Sequence, residues 1–193
     1  MAMDVSVIDA DLAAGLKKHL GQEGLNVLLG VAESVEVASG DRLTSDGQRV
    51  DALFFVLDGV FQVSVEEGEE SIHLGRVGRG SWLGEVTLFS GHPEASASVT
   101  AETPGKVLKI RHSDFHALQR DQHLEVVGNL TRLLIGTMVE RLRKSTEKPA
   151  LVGTGSAAVA DGEGTQHSEN KQGVYAKLMH LFQKVLGVEG GKQ

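Results

Sequence analysis

The chain contains no cysteine, which excludes disulfides, thiolate metal sites and a cysteine nucleophile. It also has no run approaching the roughly 20 apolar residues that a membrane span requires. Its opening residues lack the cationic stretch and apolar core of a secretory leader, so a cytoplasmic, water-soluble protein is expected. Basic charge is scarce. Nineteen lysines and arginines stand against 26 aspartates and glutamates, a net charge of −7, which argues against a broad electrostatic surface for nucleic acid. Catalytic signatures are missing too: G-x-S-x-G, the phosphate-binding G-x-x-x-x-G-K and any cysteine–histidine pairing are all absent, so the chain is expected not to be an enzyme. His112 and His116 stand four apart with His123 following, but no third ligand of matching spacing lies near. These histidines read as exposed surface residues, and no metal is expected.

What is present suits one domain with a core of its own, plus a tail: 193 residues, 40% of them apolar and 23% charged. Residues 9–32 read as two short helices, with Leu12, Leu16 and Leu20 on one stripe and Leu25, Leu28 and Leu29 on another, separated by Gly21 and Gly24. From Val35 the apolar period becomes two. Val35 and Val37; Leu53, Phe55 and Leu57; Val60, Phe61, Val63 and Val65; Ile72, Leu74 and Val77; Val99; and Val107, Leu108 and Ile110 mark short strands between Gly- and Asp-rich turns. Among those turns Asp58-Gly59 predicts a two-residue hairpin. About eight strands at this spacing make residues 33–111 one all-β unit, a barrel or sandwich.

Helix returns after Ile110, with Ser113 as the expected N-cap. A longer helix is predicted over Leu124–Thr146, where Val126, Leu130, Leu134, Met138 and Leu142 recur at four-residue steps and Val127, Leu133 and Val139 widen the stripe. So broad an apolar face needs cover from a second copy, which predicts a homodimer through residues 124–146. Residues 149–172, mostly Gly, Ala, Ser and Thr with scattered acids, read as a flexible linker. Residues 173–188 read as an amphipathic tail helix with Val174, Leu178, Leu181, Phe182 and Val185 on one face. Three roles stay open for it: docking back on its own domain, binding a partner protein, or lying on a membrane surface, the last being the least expected.

Particular stretches resemble the cyclic-nucleotide-binding domain family. They are G-D-R-L at 40–43, F-F-V-L-D-G at 54–59, G-S-W-L-G-E-V-T-L at 80–88, A-S-A-S-V-T-A at 95–101 and M-V-E-R-L-R-K-S-T-E-K at 138–148. The resemblance covers about residues 10–148. It implies an α+β, mainly β fold: an eight-stranded double-stranded β-helix or jelly roll with N-terminal helices and a long C-terminal helix of dimerisation type. It also implies a bacterial, signal-transducing regulatory module with cyclic AMP (cAMP) or cyclic GMP (cGMP) as ligand and no other cofactor. The ligand set carried over is Gly84, Glu85 and Val86 at the short helix, Ala95, Ser96 and Ala97 on the loop, and Ser145 and Thr146 at the end of the long helix. In the family, a glutamate accepts the ribose hydroxyl, backbone N–H groups hold the cyclic phosphate and an arginine pairs with its exocyclic oxygens.

One position departs from that pattern. Counting from Glu85, the arginine falls on Ala95, with Glu94 beside it. A hydrogen bond to a charged group contributes roughly 1.5–3 kcal/mol, so an ordinary cyclic nucleotide should bind about tenfold to a hundredfold more weakly. His92 is a substitute only when protonated. The 45 residues after Lys148 are too few for the winged helix-turn-helix of the bacterial regulators, and DNA binding is not expected. The rival expectation is a non-binding dimeric scaffold or adaptor whose tail helix docks on a partner protein, an assembly or a membrane.

Overall fold

A computed structural model describes residues 7–67, 70–90, 92–121 and 123–146, without the side chains of 67, 142 and 144–146. The expected linker (149–172) and tail helix (173–188) lie outside the described residues. Helix α1 (Ala10–Val31) is capped by Asp9, whose carboxylate accepts the N–H groups of Asp11 and Leu12 at 3.1 Å each. At Gly21 the backbone leaves helical geometry (φ 73°, ψ 175°), dividing the helix as the sequence predicts. Gly24 does not break it. It sits buried in the second half, where an added Cβ would meet Leu20 and Val126.

Eight strands follow: β1 (Glu33–Val37), β2 (Arg42–Thr44), β3 (Ala52–Asp58), β4 (Phe61–Glu67), β5 (Glu70–Val77), β6 (Trp82–Leu83), β7 (Ser98–Ala101) and β8 (Gly105–Arg111). They form two antiparallel sheets, in the orders β1-β8-β3-β6 and β2-β7-β4-β5. The apolar run of β3 is continuous because the strand is buried on both faces. Leu53, Phe55 and Leu57 pack under the helices with Leu108 and Ile110. Ala52, Phe54 and Val56 pack between the sheets against Phe61, Val99, Ala101 and Val107. Fully burying each large side chain of this kind contributes about 1.5–3 kcal/mol.

The expected hairpin at Asp58-Gly59 is not one: β3 and β4 belong to different sheets, and this dipeptide is the corner where the chain crosses between them. Gly59 (φ 95°) is needed there for close approach, since a Cβ would lie 2.9 Å from Gly105 Cα. The β4–β5 pair is the true hairpin, with Glu67 opposite Glu70.

Helix α3 (His112–Arg120) begins directly after β8, with Arg111 rather than Ser113 at the N-cap and no side-chain cap bond. The start is early because His112 N–H is already taken by Asp51 O, 2.7 Å away. Phe115 and Leu118 turn into the core. Helix α4 (Leu124–Thr146) follows; it buries Val126 near Gly24, and Val127, Leu130 and Leu134 in the same cluster as α1 and β3. The chain up to Leu134 is one compact unit, and residues from Ile135 onward group separately. No helix among the described residues is long and apolar enough to cross a membrane.

Candidate functional site

The cradle is built from the turn that precedes β6. Gly80 N–H donates to Val56 O at 2.8 Å and Val56 N–H donates to Ser81 O at 2.9 Å, which lays β6 beside β3. Because strand side chains alternate, Trp82 joins the helical cluster, its ring 4.6 Å from that of Phe55, while Leu83 faces the space between the sheets. Arg79 in this turn pairs with Asp9 at the head of α1 and also reaches Leu57 O at 3.3 Å. The guanidinium holds the Asp9 carboxyl below its ordinary range, and Asp9 in turn raises Arg79.

Next comes Gly84, with φ 83° and a Cβ position only 2.5 Å from Ala52 O. Only glycine fits, and the chain turns sharply into helix α2 (Glu85–Ser90). Glu85, the first residue of α2, is 3% exposed. Thr87, also buried, donates from Oγ1 to Gly84 O at 2.7 Å and fixes the turn. Val86 is half-buried.

The returning segment is bound to the chain between β2 and β3. Val50 N–H donates to Pro93 O (2.8 Å), Ala95 N–H to Gln48 O (2.7 Å) and Gly47 N–H to Ala95 O (2.9 Å). Thr44 Oγ1 donates to Ala97 O at 2.9 Å, and Asp46 N–H donates to Ser98 Oγ at 3.0 Å. The Asp46 carboxylate also accepts Glu66 N–H at 2.9 Å, so one residue ties β4 and β7 to this turn. The sequence marks Ser45-Asp46-Gly47 only as a turn. Its role as a strap over the cradle carries no signal beyond an aspartate in a turn position.

Ala95 is 7% exposed and packs between the sheets with Val50, Ala52, Leu83 and Val99. Glu94 and Arg49 are paired across the strap, both exposed and on the face opposite Ala95. His92 is exposed, and its N–H donates to Ser90 Oγ at 3.1 Å. Among the described residues the buried polar or charged side chains are Thr44, Ser64, Glu85, Thr87 and Ser98, none of them basic. The expected residues are therefore distributed as follows. Gly84, Glu85 and Val86 open α2, and Ala95 joins Leu83 and Ala52 in one cluster, with half-buried Ser96 and Ala97 leading into β7. Ser145 and Thr146 end α4, and their side chains lie outside the described residues. No group of three or more potential metal ligands occurs among the described residues. His112 departs from the expected surface position: its ring is half-buried.

Comparison with known proteins places this geometry. Residues 34–122 match the family described as the cyclic nucleotide-binding domain. The cAMP-activated global transcriptional regulator CRP of Salmonella typhimurium is 30% identical over 112 residues, 57% of this chain and 50% of that protein. The chain thus spans about half the length of this curated relative. The crystal structure of Thermus thermophilus catabolite activator protein superposes with a TM-score of 0.56 at 26% identity, covering 69% of this chain and 60% of that one. The N-terminal domain of a transcriptional regulator from Streptomyces coelicolor A3(2) gives 0.56 at 27% identity, covering 72% of this chain and 97% of the solved domain. Sheet order, glycine turn, short helix and strap all fall inside the matched stretch, and it is residues 34–122 that carry the similarity to the cyclic nucleotide-binding domain family.

Proposed function

We propose that the chain is a regulatory module of the cyclic-nucleotide-binding type whose cradle retains the ribose side and has lost the cation of the phosphate side. The observation that carries this reading is the placement of Ala95. At the position where the family's arginine falls, a 7% exposed alanine packs among apolar side chains, while the nearby cradle carboxylate of Glu85 is buried. A cyclic phosphate entering here would meet the N–H groups of α2 and of the loop at Ser96 and Ala97 without a countercharge. Ligand binding would act through the junction from Ile110 to Gln122 and bias α4, which we take as the dimer helix over residues 124–146. The expected occupant is cAMP or cGMP, held about tenfold to a hundredfold more weakly than by a cradle that keeps its arginine.

Calorimetric titration of the full chain with cAMP, cGMP and cyclic dinucleotides tests this. A weak but saturable heat that disappears in Glu85→Ala supports it, provided thermal melts show the variant folded. Ala95→Arg should raise affinity by about tenfold to a hundredfold. No heat with any of these ligands, from a protein that still dimerises, would leave the non-binding scaffold as the function.

A further inference from the structure

His112 opens α3 where the chain leaves β8, and its surroundings suit the neutral imidazole only. Its backbone N–H is pinned to Asp51 O, on the chain entering β3. Its ring nitrogen Nε2 is buried with no hydrogen-bond partner. A neutral ring tolerates this as an unused acceptor, whereas a protonated ring would bury an N–H donor and a charge with nothing to receive them. Two titratable groups, one on the chain entering β3 and one on α3 itself, act on it. Asp51 attracts a cation, and His116, one turn along α3, repels one. Arg111 and Asp114 flank it along the chain, and the first turn of a helix disfavours positive charge.

The geometry points to His112 as a protonation-controlled latch: the neutral ring seats the first turn of α3 against β8 and β3, and protonation releases that turn. Since α3 is the covalent route from the sheets to α4, the latch sits on the path by which the cradle would act on the long helix. Desolvation first, then His116, hold the imidazole below its ordinary value of about 6.5 against the opposing pull of Asp51. The folded state therefore binds the proton less readily than the unfolded chain. Stability is full above about pH 6.5 and declines as pH falls below it, until the folded ring is itself protonated.

NMR titration of the histidine rings in the full chain, together with site-resolved amide hydrogen exchange from pH 7.5 to 5.0, tests the latch. After correction for intrinsic exchange chemistry, the opening constant of amides in α3 should rise as pH falls, by up to about tenfold per pH unit, while amides in β3 and β8 stay protected. His112→Gln should abolish the rise, and His116→Gln, which removes a repelling neighbour, should weaken it. The latch is overturned if the His112 ring titrates at or above the value of histidine in the unfolded chain, or if α3 opens equally in His112→Gln. Should that variant fail to fold, the ring titration and the α3 exchange of the native chain decide the matter alone.

Discussion

At Gly84 two constraints coincide on one α-carbon. A positive φ costs a non-glycine residue roughly 1–3 kcal/mol, and the 2.5 Å approach to Ala52 O leaves no room for a methyl group. The obstructing atom is main chain in the strand buried on both faces, so relief requires moving β3 itself. Gly84→Ala should therefore lower the unfolding free energy in urea titration by at least about 2 kcal/mol; an unchanged midpoint would mean the turn relaxes freely. Residue by residue, the turn itself was legible, because a glycine leading into an acidic first helical residue suits a sharp strand-to-helix turn. Ala95 was legible only through the family spacing. An alanine between Glu94 and Ser96 carries no pattern of its own, and its burial arises from partners at 47, 48 and 50 that stand more than 40 positions away in the chain.

At the scale of elements, periodicity and turn chemistry locate most of the strands but do not say which strand pairs with which. Asp58-Gly59 has hairpin chemistry, yet the crossing of Gly59 past Gly105 decides its role, and that is a contact between distant segments. Strand β2 has one apolar residue in three and gives almost no period. Its importance comes from what the following turn grips. Thr44 is buried, and its hydroxyl satisfies the Ala97 carbonyl beside Ser96 and Ala97 of the candidate site. Thr44→Val keeps the shape and leaves that carbonyl without its donor, which costs about 1–2 kcal/mol. A urea midpoint shifted by that amount is the expected outcome. The helix boundaries show a similar limit: Ser113 is a good cap by type, but the bond from His112 N–H to Asp51 O goes with an N-cap at Arg111, two residues sooner.

For the whole molecule the open question is what α4 does with its second face. The face bearing Val126, Val127, Leu130 and Leu134 is buried. Ile135 and Val139, about one turn apart, are 49% and 46% exposed. Exposed apolar groups on successive turns of one helix are what a symmetric helix pair buries. The dimer proposed here therefore rests on the exposed stripe, not on the broad stripe read from the sequence, part of which covers the chain's own core. Sedimentation velocity at micromolar concentration should show a dimer. Ile135→Glu combined with Val139→Glu should convert it to a monomer with unchanged thermal stability of the two-sheet unit, because neither side chain belongs to the buried core. A native chain that sediments as a monomer would remove the dimer. A double variant that remains dimeric would move the interface to another surface and leave the exposed stripe of α4 for a different partner.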